Sequence, residues 1–455
     1  MVPSALGAGK KGTLGMKKAL YGTTALVAAG LVAGQASAAS GLKLGISGYY
    51  RGAIGVEFGD SNGLTNGAGA AVTNGSGTQF GAGNWGRNNV AFRQEIRVNF
   101  TGETTLDNGL TFDVLVGLNA GGGNQVTSNA TARINRAYMD VSGKFGQVRF
   151  GDANSAYQSM CVGDPGNVTA NFGLNSPNES FSNAGRFKPG FPSVSPFTGA
   201  TVFMPTAISG AGTCFGLETR STKLMYFSPT FGGFNFAVSY APTHIRGAGG
   251  SGGTGGTNGI AGFHNFLSVG ADFTHDFGGV TLTAGAAGEW ALTGHTASSD
   301  NAGSTPNKPS MYQGGLQVAW GPWAVGASGQ YVVNYANAGY GSIFGFANTT
   351  DDAYMITVGG SWTQDALSIG LQGVFNHYAV AGAAFLPGAN GNVEYWGVSL
   401  NAAYALGPGI SLEGQFAWTE ATNNFGGTPA SFTNALGNAA SVNSYEFDFG
   451  TAINF

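Results

Sequence analysis

A two-residue alternation of apolar and polar side chains, repeated along most of the chain, sets the terms for any fold this sequence can adopt. In residues 41–58 the even positions run Leu42, Leu44, Ile46, Gly48, Tyr50, Gly52, Ile54, Val56 and Phe58. The odd positions run Lys43, Gly45, Ser47, Tyr49, Arg51, Ala53, Gly55 and Glu57. A helix, with 3.6 residues per turn, would mix these sets; an extended strand keeps them on opposite faces. The same parity separates Phe92, Ile96, Val98 and Phe100 from Arg93, Glu95, Arg97 and Asn99. It separates Phe112, Val114, Val116 and Leu118 from Thr111, Asp113 and Asn119, and Ile410, Leu412, Phe416 and Trp418 from Ser411, Glu413, Gln415 and Thr419. One such segment fits any half-buried antiparallel sheet. Their repetition asks for a large one.

Composition decides what that sheet faces. Only 9% of the 455 residues are charged, against roughly 25% in soluble domains. Aromatics at 12% and abundant β-branched residues exclude a disordered chain, and the 80 glycines lack a three-residue period that would suggest collagen. Lys17 and Lys18 follow Met16 and precede an apolar stretch at 25–32 and then Ala36-Ser37-Ala38. This is the pattern of an export signal with cleavage expected after Ala38, and residues 1–15 read as an upstream extension with Met16 as the natural start. Beyond Ala38 no apolar run approaches the roughly 20 residues of a spanning helix. An exported chain without a helical anchor is either soluble or a barrel, and few charges with many aromatics favour the barrel.

Loss of the lysines at 10, 11, 17 and 18 with the leader leaves 15 basic and 23 acidic residues, a formal charge of about −8, which argues against nucleic acid as a partner. Cys161 and Cys214 are the only cysteines. In an oxidising compartment they suggest one disulfide, with two unrelated thiols as the alternative.

Turn signals divide residues 39–455 into sixteen strands, near 42–58, 89–104, 110–119, 131–142, 147–152, 220–228, 234–242, 264–275, 280–291, 311–320, 323–334, 353–363, 367–378, 393–405, 410–420 and 443–455. Short turns at 106–109, 143–146, 229–233, 276–279, 321–322, 364–366 and 407–409 alternate with long Gly/Asn/Ser/Thr-rich connections. An all-β, 16-stranded antiparallel transmembrane barrel is expected, with every tight turn at one end.

Several short motifs occur in a telling order: Gly48-Tyr49-Tyr50-Arg51, Arg136-Ala137-Tyr138-Met139-Asp140-Val141 with Lys144-Phe145-Gly146, Arg149-Phe150-Gly151-Asp152, Tyr226-Phe227-Ser228-Pro229 with Gly233-Phe234, and the closing residues 449–455. With the strand pattern, they make residues 39–455 resemble the trimeric general porins of Gram-negative bacteria, particularly the α-proteobacterial branch. The resemblance implies an outer-membrane homotrimer in contact with lipid and lipopolysaccharide. It also implies a third outer loop, here about 153–219, folded inward as a constriction. Both cysteines lie in that loop, and a bridge would tie its two ends. The last strand, with Tyr445, Phe447, Phe449, Thr451, Ile453 and Phe455 on one face, reads both as a closing strand and as a signal to the barrel-assembly machinery.

The resemblance implies basic residues on the barrel wall facing acids on the loop. Parity makes Lys43, Arg51, Arg93, Arg97, Arg133, Arg149 and Lys223 lumenal, with Arg51, Arg93, Arg97 and Arg133 favoured as the constriction wall. Arg136 has the opposite parity and is expected outside the lumen, at a subunit contact or near the membrane interface. The acidic candidates on the loop are Asp152, Asp164 and Glu179. Glu95, Asp113, Glu289 and Glu413 read as lumenal acids able to favour cations. Trp320, Trp323, Trp362, Trp396 and Trp418 read as interfacial girdles. No cofactor is expected; Asp351-Asp352 is a weak calcium candidate.

Two rival functions follow from the same residues. A barrel enzyme needs a nucleophile beside a base, but His244, His264, His275, His295 and His377 are scattered and adjoin no G-x-S-x-G. The other rival is a channel specific for a sugar or a small anion; a sugar channel would carry an aromatic ladder, and Tyr49 is the main inward aromatic of the early strands. Passive diffusion of small hydrophilic solutes is the reading the pattern favours.

Overall fold

A computed structural model describes residues 41–59, 72–73, 79–80, 90–122, 133–174, 213–214, 216–218, 220–243, 263–294, 308–334, 352–381, 390–426 and 441–455. The strands are β1 (Lys43–Gly59), β2 (Val72–Thr73), β3 (Gln79–Phe80), β4 (Val90–Thr105), β5 (Thr111–Gly122), β6 (Arg133–Gly143), β7 (Gly146–Asp152), β8 (Thr222–Phe227) and β9 (Phe234–Ala241). They continue as β10 (Phe263–Asp276), β11 (Val280–Gly294), β12 (Ser310–Trp320), β13 (Trp323–Val333), β14 (Ala353–Gln364), β15 (Leu367–Ala381), β16 (Asn390–Gly407), β17 (Ile410–Gly426) and β18 (Ser441–Asn454). One short helix, α1 (Ala156–Ser159), is capped by the Ser155 hydroxyl, which accepts from the Gln158 amide.

Strands β2 and β3 pair only with each other; the other sixteen close into an antiparallel barrel in which β1 lies between β18 and β4. The expected strand number therefore holds. The main differences are at the long-loop ends, where β17 runs six residues past the expected 420 and β16 starts three before 393. There the hairpin keeps its pairing through Asn390↔Gly426 although the side chains no longer alternate in polarity.

Parity sorts the side chains by solvent. Phe92, Phe150, Leu224, Leu371, Trp396, Leu400 and Phe449 point outward and are exposed, while Ser239, Ser268, Gln330, Thr357, Gln372, Ser399 and Asn401 point inward and are buried. This inversion of a soluble fold fits a sheet with hydrocarbon outside and water or protein polar groups inside. Two outward aromatic groups lie toward opposite ends. Trp320, Trp323 and Trp362 are register neighbours beside the short turns, and Trp396 packs on Phe375 (centroids 4.2 Å apart) toward the other end. No helix among the described residues is long and apolar enough to cross a membrane.

The tight turns owe their geometry to specific backbone needs. Gly146 has φ +110° and sits against the Phe227 carbonyl, where a β-carbon would collide with the next strand.

Candidate functional site

Arg51, Arg97, Tyr49, Glu95 and Asn119 form a cluster on the inner wall of β1, β4 and β5, which β6 extends. Tyr49, Arg97, Asn119 and Arg133 occupy one row across these strands. The Arg51 guanidinium carbon lies 4.1 Å from the centre of the Tyr49 ring and that of Arg97 lies 5.1 Å away. The Tyr49 hydroxyl donates to Glu95 Oε1 at 2.5 Å. Glu95 also faces Arg97 at 3.5 Å and Arg51 at 3.8 Å, while Arg97 Nε donates to Asn119 Oδ1 at 3.1 Å. Two guanidiniums thus share one carboxylate, and the group keeps a net positive charge. Arg93 is paired with Ala53 by backbone register, one step beyond Arg51; its side chain and that of Arg133 lie outside the described residues.

Arg136 corrects the sequence expectation. The β5–β6 register passes from Gly117↔Arg136 to Leu118↔Ile134, so Asn135 is an extra residue in β6. Such a bulge reverses parity. Gly117 pairs with Asn99 on the inward side of β4, so Arg136 faces the lumen.

Other predicted basic residues have different work. Arg149 is bidentate on Asp140, at 2.7 and 2.8 Å, and its guanidinium covers the Tyr138 ring at 3.9 Å. Lys43 meets Glu103 at 3.4 Å near the short-turn end, away from the arginine row. Lys223 is buried, 2.7 Å from Glu218 Oε1, and also donates to the Ala153 carbonyl. It belongs to the loop's anchorage and not to an open lumen surface.

The described parts of the 153–219 segment lie inside the barrel against its later strands. The amides of Ala156 and Tyr157 donate to Ser239 (2.9 Å) and Ser268 (2.6 Å) on β9 and β10. Gln317 of β12 donates to the Gly163 carbonyl, and Asn401 of β16 donates to the Gly166 carbonyl and accepts from Val168 N. Glu413 Oε2 on β17 accepts from Ala170 N, Asn171 N and Asn171 Nδ2, all within 2.8–2.9 Å. The Leu174 amide donates to Gln372 on β15 at 2.7 Å. Near the other limb of the loop, Leu217 N donates to Glu289 Oε2 at 2.8 Å, and the Ser221 amide and hydroxyl donate to Glu218. Tyr157 is enclosed, its hydroxyl accepting from Gln330 at 2.8 Å, and burial pushes that hydroxyl well above its usual range. Cys161 and Cys214 are disulfide-bonded, Cα atoms 5.4 Å apart, and join the two limbs.

This anchorage reassigns the acids. Asp164 is turned back to the wall, accepting from Gln372 Nε2 at 3.1 Å through both oxygens. Asp152 ends strand β7, accepts from Thr222 and shares the outward face with Phe150 and Leu224. Glu179 lies outside the described residues. Glu289 and Glu413 do point inward, but the loop covers both, so they hold loop amides and do not face permeating ions. Buried carboxylates need such donors to offset lost hydration. The seat residues Gln317, Gln330, Gln372 and Asn401 escaped the sequence reading. Their one signal was an amide at an inward position in mid-strand.

Among the described residues no group of three or more His, Cys, Asp or Glu side chains could hold a metal. Asp352 accepts from Tyr331 and from Asn334 N; Asp351 lies outside the described residues.

A family model described as Gram-negative porin matches residues 22–424. No curated protein matches the chain. Among solved structures, the in-vitro folded outer membrane protein OmpT of Vibrio cholerae aligns at 10% identity and a TM-score of 0.48, covering 94% of this chain and 100% of its own. The anion-selective porin from Comamonas acidovorans aligns at 14% identity and a TM-score of 0.48, covering 92% and 100%.

Proposed function

Because the chain belongs to the family of Gram-negative porins, outer-membrane channels for passive diffusion, we propose that its solutes pass between the arginine wall of β1 and β4–β6 and a loop anchored on the opposite wall. The observation that carries this reading is the split between the two walls. Loop anchors lie on β8–β13 and β15–β17, whereas Arg51, Arg97 and Arg136 lie on β1, β4 and β6. A water-filled gap lined by fixed guanidiniums on one side orders water and sorts ions without any covalent step.

The protein acts as a general diffusion channel in a homotrimer and has no catalytic role. Tyr49 argues against a sugar-specific pore: both guanidiniums lie over its ring, which leaves little of it for stacking on a sugar. The expected export leader of residues 1–38 and recognition of Phe449, Ile453 and Phe455 by the assembly machinery belong to the same reading. Single-channel recording in planar bilayers tests it. Large conductance steps in groups of three support an open trimer; silence from folded, inserted protein would overturn the diffusion reading.

A further inference from the structure

The loop does not merely hydrogen-bond to the wall; over residues 160–166 it lies on bare backbone. Met160 packs on Gly270 of β10, Val162 on Gly285 of β11 and Gly315 of β12, and Pro165 on Gly326 of β13. Asp164 and Gly166 lie on Gly359 of β14, and Gly166 also lies on Gly370 of β15. A β-carbon at Gly285 would stand 2.6 Å from Val162 Cγ2, at Gly270 2.7 Å from Met160 Cβ, and at Gly326 2.9 Å from Pro165 Cδ. At Gly315, Gly359 and Gly370 it would overlap Val162 O, Asp164 Oδ1 and Gly166 O outright. All six glycines point inward, in step with buried neighbours such as Ser268, Glu289, Gln313, Ser328, Thr357 and Gln372.

The spacing makes this seat hard to replace. Residues 160–166 advance from β10 to β15, five strand intervals, or about 24 Å along the wall. Six residues of chain reach at most roughly 20 Å, so the segment is stretched and must cut the inside of the curve. A taut chain has little slack to bow around a methyl group. It can be lifted only away from the wall, toward the lumen.

We propose that this glycine belt sets the width of the channel: the missing β-carbons let the loop sit at the depth of the wall backbone, and that depth fixes the open cross-section. The inference rests on the diffusion-pore reading and adds the residues that determine its size limit. Parity supplies internal controls. Gly314 and Gly360 are the outward neighbours of Gly315 and Gly359, and a β-carbon on them meets nothing closer than 3.9 and 3.4 Å.

The test compares Gly315→Ala with Gly314→Ala and Gly359→Ala with Gly360→Ala in the full chain, folded and inserted in planar bilayers. Liposome swelling with graded neutral sugars reads the size limit. Restoring ordinary contact at the inward positions needs a shift of roughly 1–2 Å. Conductance should then drop to roughly two-thirds or less as the open area shrinks, with a lower size limit, while the outward variants match the parent. If Gly315→Ala or Gly359→Ala does not fold, Gly270→Ala, whose nearest contact is Met160 Cβ of the loop at 2.7 Å and whose overlap is the mildest of the six, carries the comparison. Inward variants that conduct like the parent, or better, overturn the proposal. A folded parent without conductance would instead overturn the diffusion reading beneath it.

Discussion

The wall of β1 and β4–β6 and the wall of β10–β15 are built from the same alternating strands yet do opposite things with their inward positions. The first fills them with long charged side chains, held upright by Tyr49, Glu95 and Asn119. The second leaves many of them empty or fills them with amides, and lays a chain segment on top. One wall projects its chemistry into the water; the other withdraws so that a foreign segment can supply the surface. The difference teaches that a narrow zone can be shaped by what a sheet omits as well as by what it displays.

The comparison is broken most severely at the loop's covalent tie. Replacing Cys161 and Cys214 by serine releases a closure of sequence separation 53 and should lower stability by about 4 kcal/mol on the chain-entropy relation. A lower urea midpoint of the folded barrel, reproduced by reductant on the parent, checks it. Next comes Glu413→Ala, which strips the shared acceptor from three loop donors and should cost roughly 3 kcal/mol. Its signature is faster cleavage by added protease near 170 and a noisier open current; an unchanged cleavage rate would mean the seat does not depend on this carboxylate.

Changes on the charged wall should be smaller and should leave stability nearly alone. Arg136→Gln should shift the anion-to-cation permeability ratio toward cations by roughly two- to five-fold, the effect of a unit charge worth about 0.5–1 kcal/mol close to the ion's path. An Arg136 on the outer surface would give no shift in reversal potential. Glu95→Gln should move the ratio the other way by about two-fold, because the carboxylate is partly occupied by the Tyr49 hydroxyl. Both shifts should fade between 0.1 and 1 M salt as screening shortens from about 10 to 3 Å, whereas the two loop variants should be insensitive to salt.

Much of the barrel was legible because a period of two and frequent turn residues are local signals. Leu42, Ile46 and Ile54 against Ser47 and Arg51 need no distant knowledge. What escaped was non-local. The bulge at Asn135 is a pairing event between strands, so counting along β6 alone put Arg136 on the wrong face. Asp164 sits in the loop as expected, yet its partner Gln372 is more than two hundred residues away, and nothing nearby in sequence says that it turns to the wall. Nothing next to Gly315 or Gly370 in sequence signals the segment that lies on them, because residues 162 and 166 are roughly 150 and 200 positions away.

The seam has a consequence in time. Gly48 and Phe455 exchange backbone hydrogen bonds at 2.8 and 3.0 Å, and β1 and β18 stay in register from Tyr49↔Asn454 to Gly59↔Ser444. Neighbouring hairpins can zip early, but β1 must wait with an unsatisfied edge while the barrel strands between it and its partner are laid down. Through that interval the molecule carries two open edges, each able to accept a strand from another chain. The last ladder to form therefore converts a sticky sheet into a particle with no edge to offer, and aggregation during assembly competes chiefly with that one step.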